Sequence, residues 1–205
     1  MSNFILALDT TGSRLNMGLS NFADIQRIES LPLGKALSTD LHDCLQKFME
    51  PQSWQSLAAI AIIVGPGSYT GSRIGVVTAR TLAQSLNIPI YGFSSLAIAA
   101  TISCHEAGKV AIAIPAQRNH VYGAIYQIEK AKDEPITLLA EKNLNHANWL
   151  HVIEETPGLQ DSIKFEYNEI TSGQMVEKLL VLGQNKLKKK VMGNWQEIFP
   201  NYAKS

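Results

Sequence analysis

A chain of 205 residues with 45% hydrophobic content can bury a full core without disulfides or a structural metal. Its 18 basic and 18 acidic residues cancel, which argues against nucleic-acid binding by charge alone, because that mode needs clustered Lys and Arg against phosphates. Charged residues make up 18% of the chain, below the roughly 25% of ordinary soluble domains, so part of the surface is expected to be covered by another protein.

Residues 4–9 are almost continuously apolar and predict a buried strand. After the turn Thr11-Gly12-Ser13, residues 15–20 alternate as a second strand and residues 25–31 supply a third. Ser38 and Thr39 are placed as N-caps of an amphipathic helix, with Leu37, Leu41, Cys44, Leu45 and Phe48 at helical spacing until Pro51 ends it. A strand over 57–64, a helix over 71–86, a strand over 88–91 and a helix over 94–106 opened by Ser94 or Ser95 follow. That alternation implies parallel pairing with right-handed crossovers.

The pattern then restarts. Strands are predicted over 110–114, 121–128 and 136–140, the first two joined by Gln117-Arg118-Asn119-His120, with a helix over 145–155. A longer helix over 171–190 ends in Lys186, Lys188, Lys189 and Lys190, a solvated terminus whose charges complement the helix dipole. The division expected is a first lobe at 1–106 and a smaller second lobe at 107–205. No apolar run reaches the roughly 18 to 20 residues of a membrane span, and the opening Met1-Ser2-Asn3-Phe4 lacks the basic flank of a signal peptide. Cys44 and Cys104 have no CxxC spacing and read as small buried hydrophobes in a reducing compartment. A cytoplasmic protein is expected.

The densest motif is Gly65-Pro66-Gly67-Ser68-Tyr69-Thr70-Gly71, between a strand and a helix, where free amides attract anions. It lacks the Gly-Lys-Ser/Thr of a Walker loop, and Gly71 falls one residue late for a dinucleotide fingerprint. Two readings fit: a sharp turn with close helix-on-sheet packing, or direct contact with a ligand or partner. Gly71, Gly75 and Ala79 recur every four residues, so one helix face is nearly smooth and can lie close to a neighbour, in this chain or another. Asp9, Thr10 and Thr11 at the end of the first strand also admit two readings, a weak nucleotide site or a turn closed on backbone amides. His42, His105, His120, His146 and His151 share no ligand motif and read as structural or solvent-facing.

The βββαβαβα order of the first half is similar to the half-domain of the actin, hexokinase and Hsp70 class. The fold expected from that likeness is α/β, a two-lobed actin-like (ASKHA, ribonuclease H-like) architecture with a shortened second lobe. More narrowly, residues 4–11 and 60–100, and above all 64–75, resemble the bacterial TsaB (YeaZ) family, with a faint return at Pro200-Asn201-Tyr202. The resemblance implies a non-catalytic partner of TsaD, working with TsaE in formation of threonylcarbamoyladenosine next to the tRNA anticodon. It implies no cofactor of its own, ATP and metal on the TsaD and TsaE partners, tRNA contact only through the complex, no membrane association, and a homodimer when alone.

The TsaD paralogue carries two metal-holding His at i and i+4 where this chain has Ser95 and Ala99, so neither catalysis nor a metal site is expected here. Partner contact is assigned by resemblance to the first two helices: Leu41, Leu45 and Phe48 on one, and Gly71, Arg73, Ile74, Val77, Thr78, Thr81 and Leu82 on the other. Two departures stand out: Pro115-Ala116-Gln117 replaces the family's Asp-Ala-Arg, and a histidine usual near Leu37-Ser38 is missing. The rival expectations are a nucleotide-dependent phosphotransferase of the actin-like class and a homodimeric scaffold outside tRNA metabolism.

Overall fold

The computed structural model describes residues 3–104, 106–130, 132–165 and 169–203. The apolar run Phe4–Asp9 forms β1, buried on both faces. It pairs antiparallel with β2 (Leu15–Ser20), which pairs antiparallel with β3 (Gln26–Leu31). On its other side β1 runs parallel to β4 (Leu57–Gly65), itself parallel to β5 (Ile90–Ser94), giving the order β3-β2-β1-β4-β5. Parallel neighbours need crossovers, and α1 (Leu37–Met49) and α2 (Tyr69–Leu86) supply them.

Several ends differ from expectation for local reasons. A 3₁₀ turn over Gly34–Ala36 leads straight into α1, so Ser38 and Thr39 lie inside the helix. Their hydroxyls bond back to the carbonyls of Lys35 and Ala36, at 3.4 and 2.9 Å, and cap nothing. α2 begins two residues early because Ser68 is its N-cap, accepting from the Gly71 amide at 3.1 Å. Its end is a left-handed Asn87, with the Ile88 amide returning to the Ala83 carbonyl, which delays β5 to Ile90. Ser94 caps α3 (Ser95–Ser103), which stops short of residue 106.

The second sheet holds β6 (Gly108–Pro115), β7 (His120–Ile128), β8 (Ile136–Asn145) and β9 (Leu159–Lys164) in the order β8-β7-β6-β9. β8 runs five residues past its predicted end because Lys142, Asn143, Leu144 and Asn145 keep pairing with β7. The unpredicted β9 is a mostly polar edge strand parallel to β6. α4 (His146–Glu154), capped by Asn145, covers the outer face, where Trp149 packs over Gly123 so closely that a Cβ there would lie 2.6 Å from the indole.

α5 (Glu169–Lys188) follows β9 in the chain, yet it lies on the first sheet, across β1, β2 and β4, with Gly18 beneath Val176 and Leu180. α3, from the first half, packs on β6 and β7. A cut at 106/107 therefore separates the two sheets but not the helices that cover them. The layers run α1 and α2, first sheet, α3 and α5, second sheet, α4. One apolar cluster fills the space between α1/α2 and the first sheet, a second the middle, and a third the space under α4. Each wholly buried Leu or Ile among them contributes roughly 1.5–3 kcal/mol.

Candidate functional site

At the end of β1, Asp9 faces Asn16 across the β1–β2 pair, and both are fully buried. One carboxylate oxygen of Asp9 accepts from the Thr11 amide at 2.9 Å and the Thr11 hydroxyl at 2.6 Å; the other accepts from Asn16 Nδ2 at 3.1 Å. Desolvation pushes the Asp9 pKa up, and the three donors oppose it. The Thr10 hydroxyl donates to the Gly71 carbonyl at 2.8 Å. Asp9 and Thr10 show no exposed surface and Thr11 only 2%, so their side chains close a turn and lock it to α2. These contacts carry the turn reading of Asp9, Thr10 and Thr11, and Thr11 also lines a cleft.

The same contacts identify the neighbour of the smooth helix face. A Cβ on Gly67 would overlap the Thr11 carbonyl, one on Gly71 the Thr10 carbonyl, and one on Gly75 the Thr10 hydroxyl. Gly65 adopts φ +114°, a conformation that side chains resist. The glycines thus serve close packing within this chain.

Between the lobes lies a cleft of about 1230 Å³. Thr11, Ser13 and Gly67–Thr70 form one wall; Pro115–Arg118, Tyr122 and Asn143 form most of the other. No described Asp or Glu lines it, which leaves phosphoryl transfer without a carboxylate base at that place. Ser95 and Ala99 are wholly buried, and the Ser95 hydroxyl ties α3 to the loop by donating to the Pro66 carbonyl at 2.5 Å. Among the described residues no three His, Cys, Asp or Glu are grouped to hold a metal. Cys44 and Cys104 are free and half-buried, and burial pushes both thiols up, which keeps them protonated and unreactive.

The first two helices enclose a second, apolar groove of about 670 Å³. Leu41, Leu45 and Phe48 turn inward and belong to this chain's own core, at 0%, 2% and 6% exposure, and Gly71 and Thr78 are buried too. Leu45 and Thr78 nevertheless line the groove, while Leu41, Phe48 and Gly71 lie outside its lining. Arg73, Val77 and Thr81 are exposed, and Ile74 and Leu82 are half-buried beside them. Val77 is 59% exposed. His42 stands exposed at the edge of the groove.

Sequence reasoning missed the aromatic flank of α2. Tyr69 receives a hydrogen bond from Arg73 at 2.9 Å and stacks on Tyr202 with centroids 5.1 Å apart. Arg80 lies over both Trp195 and Phe199. These pairs join residues more than a hundred positions apart, and only the i and i+4 spacing of Tyr69 and Arg73 was visible as a local signal.

A family model described as TsaD, tRNA N6-adenosine threonylcarbamoyltransferase, matches residues 34–198. The tRNA threonylcarbamoyladenosine biosynthesis protein TsaB of Bacillus subtilis (strain 168) is 35% identical over 159 residues, spanning 74% of this chain and 66% of that protein. The chain belongs to the TsaB/YeaZ family. A second TsaB, from Buchnera aphidicola subsp. Schizaphis graminum, is 29% identical over 138 residues, covering 62% of this chain and 61% of the relative. The chain thus spans about two thirds or less of the length of these TsaB relatives.

Two solved structures from Pseudomonas aeruginosa share the fold at 23% identity. YeaZ superposes with a TM-score of 0.71 over 97% of this chain and 100% of that one. A protein described as uncharacterized, with similarity to peptidase YEAZ, superposes with a TM-score of 0.75 over 98% and 99%. The two-lobed actin-like architecture is therefore that of the TsaB/YeaZ family. Among its described residues, no helix is long and apolar enough to cross a membrane.

Proposed function

We propose that this chain acts in tRNA threonylcarbamoyladenosine biosynthesis as a non-catalytic partner of a TsaD protein, docking through the groove between α1 and α2. The observation that carries this reading is the apolar groove itself, with the exposed Val77 and the half-buried Ile74 and Leu82 beside it. A largely apolar groove that Arg73 and His42 also line has the composition of an interface core with a polar edge. On this reading Asp9 is a structural residue, held by the Thr11 amide and hydroxyl and by Asn16.

On this reading ATP and metal belong to the TsaD and TsaE partners, and tRNA meets the chain only within the complex. Alone, the same groove pairs two copies of the chain, and the protein resides in the cytoplasm. Reconstitution tests the proposal. Purified TsaD and TsaE with tRNA, threonine, bicarbonate and ATP are expected to form threonylcarbamoyladenosine, read by nucleoside mass spectrometry, only when this chain is added. Equal modification without it overturns the reading.

A further inference from the structure

Residues 191–203 leave the end of α5 and return along the edge of the first sheet. Gly193 lies so near β5 that a Cβ on it would sit 2.7 Å from the Ile90 carbonyl, and the Tyr91 hydroxyl donates to the Val191 carbonyl at 3.0 Å. The segment then passes along α2 to Asn201. There the Asn201 amide donates to the Val64 carbonyl at 2.8 Å, and the Asn201 carbonyl occupies space that only a glycine at position 65 leaves open. The Asn201 side chain points the other way and donates to the Glu141 carboxylate.

Those two ends belong to different sheets, at the junction of the lobes beside the cleft. Val64 and Gly65 close β4 immediately before the loop whose Gly67–Thr70 line one wall. Glu141 is on β8, two residues before Asn143, which lines the other. Glu141 is also held from both lobes, by the hydroxyls of Ser94 and Tyr126. Burial and the adjacent carboxylate push the Tyr126 hydroxyl well above its ordinary range, so it remains a donor. A carboxylate receiving three donors from three chain segments makes charge-assisted bonds, the strong kind.

We infer that residues 191–203 form a latch at the lobe junction beside the inter-lobe cleft, in which Asn201 couples β4 to β8 and damps the hinge motion open to two lobes around a cleft. Two-lobed proteins that work on ligands open and close by such hinges. This chain has a short peptide segment fastened across that hinge. Cutting the Asn201–Glu141 bond loosens that junction, with the Ser94–Glu141 bond left in place.

Hydrogen exchange by mass spectrometry on the full chain tests this with Asn201→Ala and Glu141→Gln. Asn201→Ala keeps the backbone bond to Val64 and cuts only the side-chain link. Exchange in peptides covering 65–71 and 136–145 is expected to quicken on the order of tenfold, the effect of losing one charge-assisted bond, while α1 is unchanged. The double variant is expected to behave like the more affected single one, as two partners in one bond should. Unchanged exchange in both peptides overturns the latch. So does acceleration spread evenly over the chain, α1 included, or strict addition of the two single effects.

Discussion

The hydroxyl of Thr10 occupies the space that a side chain on Gly75 would need, and it donates to the Gly71 carbonyl at 2.8 Å. One residue just past β1 therefore fixes the distance between the first sheet and the first two turns of α2. Gly75→Ala forces either the helix or Thr10 to move. Overpacking of this kind costs about 1–3 kcal/mol, with loss of the Thr10 bond adding about 1 kcal/mol. Urea unfolding should show that loss, and Thr10→Ala in the same chain should recover part of it. A Gly75→Ala variant as stable as its parent would mean the helix has slack that the packing denies.

Asp9 makes a pH prediction. Burial raises its native pKa above the ordinary aspartate value of 3.8, so as pH rises the unfolded chain releases the proton first and the native state holds more protons. Stability contributed by this group is complete below 3.8 and falls as pH climbs through the raised native value. Asp9→Asn cannot ionise. Its stability relative to the parent should increase from pH 4 upward, on top of a constant loss where Asn16 Nδ2 faces a second amide. A relative stability that stays flat or declines over that range contradicts the assignment.

Much of the fold was legible because its signals are local. The unbroken apolar runs of β1 and β4 marked buried strands, and the glycine loop marked where β4 turns into α2. What was not legible depended on distant partners. β9 is a polar edge strand, carried by pairing with β6 rather than by an apolar pattern of its own. α5 reads as a helix, but nothing in its spacing says that it returns to the first sheet. The site shows the same limit. Periodicity identified an apolar stripe on α1, yet Leu41, Leu45 and Phe48 form that stripe by packing inward. The four-residue glycine spacing announced a close neighbour, and only the fold identified it as Thr10 and Thr11.

Arg27 on β3 closes the far end of α1. Its guanidinium donates to the Glu50 carbonyl at 2.5 Å, the Met49 carbonyl at 3.3 Å and Gln52 Oε1 at 2.5 Å, and lies 5.4 Å from the Phe48 ring centre. A cation on the last carbonyls satisfies orphan acceptors and the helix dipole together. Arg27→Ala should lower stability by about 1–2 kcal/mol. Exchange should quicken in the last turn of α1, with α2 unaffected. Equal protection of that turn in both proteins would show that the cap is idle.

The central claim is that the groove between α1 and α2 receives a TsaD protein. Val77 tests it most cleanly because it is 59% exposed, so Val77→Asp should leave the urea midpoint unchanged at concentrations low enough to keep the chain monomeric. Isothermal titration of purified TsaD into parent and variant is the direct measurement. The account predicts binding weakened on the order of thirtyfold, the loss expected of an interface hot spot worth about 2 kcal/mol. Equal affinity for the two proteins would contradict it.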